Sequence, residues 1–488
     1  MSELSPQAQQ PDFLFDPPCD PRSVAEWAHR TSGKVLVAGA AMIGIAFGAG
    51  AANPIPSKVD ALAAQPATGL KIPPNTPLPD RKTFENGYMS TNPATDDFVS
   101  KLVGHPSTNL TSKYTTLERD KVRKQNPSLS IVDSNSFWGR WKAENNDNID
   151  YNVNLEIAKK YGVTMHDPRN TQKALRALNP YTDSFSKYYA AAAGYLKQFN
   201  VDIKMARVAD EEILGKEVMP PMPGMLETPK AKLLASNLVK AFADLPQEFI
   251  DLSMGRGTKT IYLSQNAPKK PDPKHPNKPV GTYAGLAYPD EEHNKIVLNV
   301  ATDVSIAVID HELSHLADAA MIGDGADNDV PYTALNDTIP YQGDGKNKAY
   351  QYETYKTAYD KAAIEAFSLR RAKKFGEACV FAHNTDKRLK EMGQKVIFMS
   401  EYAGSVNVVE DKAVVGATVV DNSYDFGVAT SMRTPKLRSK SMLWLNRIAN
   451  YRAGVAGFII ESRNLGHYEQ LVSYGCSKPI SEDESHGK

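Results

Sequence analysis

Ile309-Asp310-His311-Glu312-Leu313-Ser314-His315-Leu316-Ala317-Asp318 lies inside an apolar-periodic stretch from Ala301 to Met321. Val304, Ala307, Val308, Leu313 and Leu316 recur at the spacing of one buried helix. His311 and His315 are four residues apart, so on that helix both imidazoles project from one face, within reach of a single ion. Glu312 lies beside them, offset around the helix. A zinc ion on two neutral imidazoles and one carboxylate keeps a fourth position for water and lowers the pKa of that water toward neutrality. Glu312 then has the place of the general base, taking the proton and passing it to the leaving amine. A helix that merely packs would rarely bury two histidines and a glutamate together without partners.

Working outward, Leu226 to Ile250 reads as helical, broken near Pro246. Thr258 to Ser264 alternates as a strand does. The Lys/Pro-rich stretch Ala267 to Pro279 has the composition of an exposed loop. Gly281 to Tyr288 and Lys295 to Val300 read as two strands joined by a polar turn, and the His-Glu-x-x-His helix follows directly.

That order of elements is similar to the zincin catalytic fold, and the expected fold class is therefore α+β. Gly285-Leu286-Ala287-Tyr288-Pro289-Asp290, Lys295-Ile296-Val297-Leu298-Asn299 and Asp310 to Asp318 resemble the catalytic domain of anthrax-lethal-factor-like metallopeptidases, over about a third of the chain. The resemblance implies a gluzincin-type peptidase of the secreted or delivered toxin class. It further implies that Thr282 to Tyr288 lines a cleft where an extended peptide adds as a strand.

In the resembled family the third zinc ligand is a glutamate on a later helix, in a phrase ending Glu-Ala-Phe. Here Glu365-Ala366-Phe367 stands on an expected helix from Tyr350 to Gly376, but Lys361 occupies the place that matches the family's ligand. Glu365 is the expected ligand, with Asp360 or Glu353 as alternatives in another register, and a degenerate site as the alternative to all three. A different zincin scheme, with an aspartate soon after the helix, points to Asp329 in Asp329-Val330-Pro331-Tyr332. Asp318 is expected to hold a histidine tautomer rather than bind the metal. Tyr352, Tyr355 and Tyr359 are expected to pack rather than act.

The rest of the chain bounds these readings. Lys plus Arg and Asp plus Glu both number 57, so no global field draws in nucleic acid, and no nucleic-acid partner is expected. Cys19, Cys379 and Cys476 offer no metal-spaced cluster, which leaves metal binding to His, Asp and Glu. Cys379 and Cys476 could pair after export or remain two thiols. Val35 to Ala52 is an uncharged run behind Arg30 and Lys34 that ends in small residues, the layout of a signal peptide, with a signal anchor as the alternative. The membrane enters only through that segment.

The expected organisation is a signal or anchor segment (1–52), a low-order arm (53–136), a helical region (137–225) and the zincin-like domain (226–475). Within the last, Ala413 to Val420 reads as a strand, and Ser441 to Ile460 as an amphipathic helix whose Arg438, Lys440, Arg447 and Arg452 form a solvated basic face. The functional expectation is an exported zinc endopeptidase acting on protein or peptide substrates, with zinc on His311, His315 and Glu365 and with Glu312 as base. The alternative is a zincin-fold binding or toxin-accessory protein without catalysis.

Overall fold

Ile261 and Leu263 alternate with Tyr262 and Ser264 along one strand, and this period of two separates a large core on one face of a sheet from a small one on the other. The computed structural model describes residues 93–104, 147–178, 185–210, 214, 218–255, 259–266, 283–289, 294–323, 329–337, 339, 341, 352–372, 374–421 and 434–463. The chain divides into Met1–Asn53 and Pro54–Lys488, and every described residue lies in the second unit. The hydrophobic run 35–52, the loop 267–279 and the question of a Cys379 pairing with Cys476 lie outside the described residues. Among the described residues no helix is long and apolar enough to cross a membrane.

In chain order the first helices are α1 (Pro93–Gly104), α2 (Asp147–Tyr161), α3 (Pro168–Ala177), α4 (Phe185–Leu196), α5 (Pro223–Leu226), α6 (Pro229–Ala243) and α7 (Gln247–Met254). They are followed by α8 (Ile306–Ile322), α9 (Val330–Thr333), α10 (Tyr352–Arg371), α11 (Phe375–Gly393), α12 (Glu401–Ser405), α13 (Val408–Val420) and α14 (Pro435–Ser462). The strands are β1 (Val201–Met205), β2 (Val218–Met219), β3 (Lys259–Asn266), β4 (Gly285–Tyr288) and β5 (Lys295–Asn299).

The helix starts follow capping chemistry. Thr228 accepts from the Ala231 N–H ahead of Pro229, and Ser305 accepts from the Val308 N–H to open α8. Pro246 separates α6 from α7, as expected from its missing N–H, and Gly323 ends α8 at a φ of 66°.

The sheet runs β1-β3-β5-β4, with β2 joined antiparallel to β3. The pairs β1–β3 and β3–β5 are parallel, whereas β4 is antiparallel to β5 and forms the sheet edge among the described residues. Ile261, Leu263, Ile296 and Leu298 face the large core, which they share with Leu238 and Phe242 of α6, Leu313 and Leu316 of α8, and Trp444 and Ile448 of α14. Tyr262 and Val297 face the smaller cluster with Val218, Leu286 and Tyr288.

The architecture is α+β, mostly helical with a small mixed sheet. The stretch expected to be mainly helical, 137–225, also supplies β1 and β2 to this sheet. In the stretch expected as a low-order arm, α1 packs on α14 and buries Phe98 and Val99.

Two expectations about the C-terminal part are corrected. Residues 413–420 belong to α13, not to a strand, and every residue from Asp411 to Val420 is buried. A helix buried all round has no polar face, so its valines imitate a core strand. The expected basic face on α14 is not solvated as a whole: Lys440 and Arg447 are buried in ion pairs.

Candidate metal centre

α8 carries the histidines as the spacing requires. Their rings lie edge to face, with centroids 4.6 Å apart, and the two Nε2 atoms are 3.0 Å from each other. The third member comes from α13, which packs along α8. Glu410 Oε2 lies 3.1 Å from His311 Nε2 and 3.2 Å from His315 Nε2. This group of three could hold a metal ion. Four ligands at zinc distances of about 2.0–2.1 Å lie at the corners of a tetrahedron with edges of roughly 3.3–3.4 Å, close to the three separations here. Two ring nitrogens and a carboxylate oxygen aimed at one point need a shared cation or proton between them, and the donor types are those of a zinc site. The side chain of Glu410 is 21% exposed, so the face of the group opposite the core is within reach of solvent.

Local sequence explains how Glu410 comes to be there. Asn407 caps α13 by accepting from the Glu410 N–H at 2.9 Å, which puts Glu410 in the first turn, at the end nearest the histidines. Its two neighbours bind elsewhere. Asp411 Oδ2 meets Lys440 Nζ at 2.6 Å and Tyr341 Oη at 3.0 Å. Lys412 Nζ meets Asp318 Oδ2 at 2.6 Å and Asp329 Oδ2 at 3.3 Å. Burial alone would raise the Glu410 pKa, but the hydrogen bonds and charges of His311 and His315 more than reverse this and hold it well below the usual carboxylate range.

Glu312 is buried under the edge strand. A Cβ built on Gly285 of β4 would lie 2.6 Å from Glu312 Oε1, so only glycine admits the carboxylate at this approach. Burial raises the Glu312 pKa to about 7, with the His311 charge opposing and the Glu410 charge adding to the rise. Tyr402 of α12 completes the surround. Its ring centroid is 6.2 Å from that of His311, and its phenol hydrogen-bonds Glu410.

His311, His315 and Glu312 therefore stand where the motif predicts, and Glu365 does not join them. It is exposed on α10 and outside the donor group, as is Lys361, so the carboxylate that meets the two histidines is that of Glu410 and not that of Glu365. The side chains of Asp360 and Glu353 lie outside the described residues. Asp329 does not join the donor group either: Arg447 grips it at 2.6 and 2.8 Å, and it caps α9. Asp318 pairs with Lys412 instead of a histidine, and His311 Nδ1 is buried with no hydrogen-bond partner among the described residues. Tyr352, Tyr355 and Tyr359 are buried, as packing residues are.

Glu410 and Tyr402 were missed from sequence. The available signal was Asn407-Val408-Val409-Glu410, a capping residue followed three positions later by glutamate, which announces a helix start rather than a strand. Compared with known proteins, the chain matches no family model, no curated protein and no solved structure.

Proposed function

We propose that the chain is a zinc-dependent endopeptidase and that its α+β architecture is a zincin-type domain. The observation that carries this reading is the convergence of His311, His315 and Glu410 at 3.0, 3.1 and 3.2 Å, with the buried carboxylate of Glu312 on the residue between the two histidines. When bound, zinc supplies a Lewis acid that brings the pKa of water to about 7. Glu312 takes the proton from the water as its oxygen adds to the scissile carbonyl carbon. Glu312 then delivers that proton to the amine as the C–N bond breaks. The Tyr402 phenol, beside the donor group, donates to the carbonyl oxygen as negative charge develops there. A peptide laid along the edge strand β4 pairs with its backbone and brings the scissile bond over Glu312.

The non-catalytic alternative drew on Lys361. Since Glu410 completes the donor set, Lys361 no longer argues for it. The test is zinc stoichiometry and cleavage of a mixed peptide library by the full chain and its Glu312→Ala form. Wild type is expected to hold about one zinc and cut peptides, and Glu312→Ala to keep the metal and lose cleavage. A protein that holds no zinc, or a Glu312→Ala form that cuts as wild type does, overturns the proposal.

A further inference from the structure

Glu410, Asp411 and Lys412 are consecutive, yet each binds a different part of the fold: the histidines of α8, Lys440 of α14, and the Asp318–Asp329 pair. Lys412 is fully buried. Its stronger partner, Asp318, stands on α8 three residues after His315 and so on the same face, one turn farther along. Its second partner, Asp329, is fixed from the other side by two hydrogen bonds from Arg447 of α14. The ammonium therefore ties the helix that carries Glu410 to the helix that carries the histidines, and through Arg447 to a third.

A buried ion pair is a poor source of net stability, because desolvation offsets most of the attraction, and an apolar side chain of similar volume would fill the space as well. What the apolar side chain would not do is set the rotation and register of α13 against α8. Here that register decides whether the carboxylate two residues earlier meets two imidazole nitrogens. We infer that Lys412 is a positioning residue for Glu410, holding the first turn of α13 so that the carboxylate stays at the histidine pair. This rests on the metal reading of the site.

The test is zinc affinity by chelator competition on the full chain, for wild type, Lys412→Met and Asp318→Asn, each checked for native circular dichroism. Leu196→Ala, in the core on α4, which packs on α3, α6 and β1, serves as a variant destabilised away from the helices of the site. Loss of partners that orient ligands typically weakens metal binding roughly 10- to 100-fold, and a loss of that order is expected for Lys412→Met. Asp318→Asn is expected to shift the same way by less, since Asp329 still faces the ammonium. Leu196→Ala is expected to bind as wild type does, because a purely structural cost leaves the affinity of the folded protein unmoved. Should Lys412→Met not fold, Asp318→Asn decides alone. Folded variants that bind zinc as tightly as wild type overturn the inference while leaving the proposed function intact. Wild type without zinc overturns both.

Discussion

Gly285 and Glu312 meet across the boundary between sheet edge and helix, and the missing side chain of one makes room for the carboxylate of the other. A Cβ at 285 would stand 2.6, 2.7 and 2.9 Å from Glu312 Oε1, Cγ and Cδ, so the whole end of the glutamate would have to move rather than one flexible tip. Misplacement of a catalytic group by about 1 Å costs on the order of a hundredfold in rate. Gly285→Ala should therefore lower peptide cleavage by roughly that factor while zinc content stays at the wild-type level. Metal analysis beside kcat/KM checks it, and unchanged cleavage would show that Glu312 tolerates displacement. At this scale the sequence made three of the five side chains of the centre legible, and missed Glu410 and Tyr402. His311, Glu312 and His315 lie within one and a half turns of a helix, where spacing alone brings them to one side. Glu410 is 95 residues beyond His315, and no periodicity connects residues that only the packing of two helices brings together.

The elements α8 and α13 approach closely because of a second glycine. A Cβ on Gly416 would meet Ser314 Cβ and Oγ at 2.8 Å and Trp444 Cε2 at 2.9 Å, a squeeze between α8 and α14 with no open side. Gly416→Ala should cost about 1–3 kcal/mol by overpacking and should weaken zinc binding, because α13 carries Glu410 away as it yields. Gly194→Ala in α4, where nothing lies within 4 Å, should instead stabilise by about 0.4–1 kcal/mol. Urea midpoints for the two variants decide it: a Gly416→Ala protein as stable as wild type would mean that the contact between α8 and α13 is loose. Six elements were legible from pattern: β3 by alternation, β5 as a short apolar run between polar residues, α6 and α7 by the proline at their starts, and α8 and α14 by a long apolar period. α13 was not. Its repeated valines suggested β structure, and its burial on every side removed the polar face by which a helix is recognised.

Across the whole molecule the equal totals of acidic and basic residues ruled out a long-range field, but they concealed charges sequestered inside the fold. Arg447 and Lys440 read as surface charge because half a helix of basic residues usually is; only the acidic partners, drawn from 118 and 29 residues away, reveal them as interior. Asp329 lies at the meeting point of α9, α13 and α14. Burial raises its pKa, but the hydrogen bonds and charge of Arg447, with the charge of Lys412, outweigh that and leave it below the usual value. A carboxyl whose folded pKa is depressed contributes stability that is fully present above the unfolded value of about 3.9 and is lost as pH falls through the folded one. Asp329→Asn leaves Arg447 buried without its counter-charge and should cost roughly 3–5 kcal/mol near pH 7. That deficit should persist down to about pH 4 and then narrow, because below that point unfolded wild type takes up a proton at Asp329 that the folded protein, with its lowered pKa, still refuses. Urea unfolding of both proteins with chelator present, from pH 7 to pH 3, measures the gap without any contribution from metal release. A gap that stays constant through pH 3 would mean that the ion pair is not what ties the three helices together, and the anchoring of α13 would then rest on apolar packing alone.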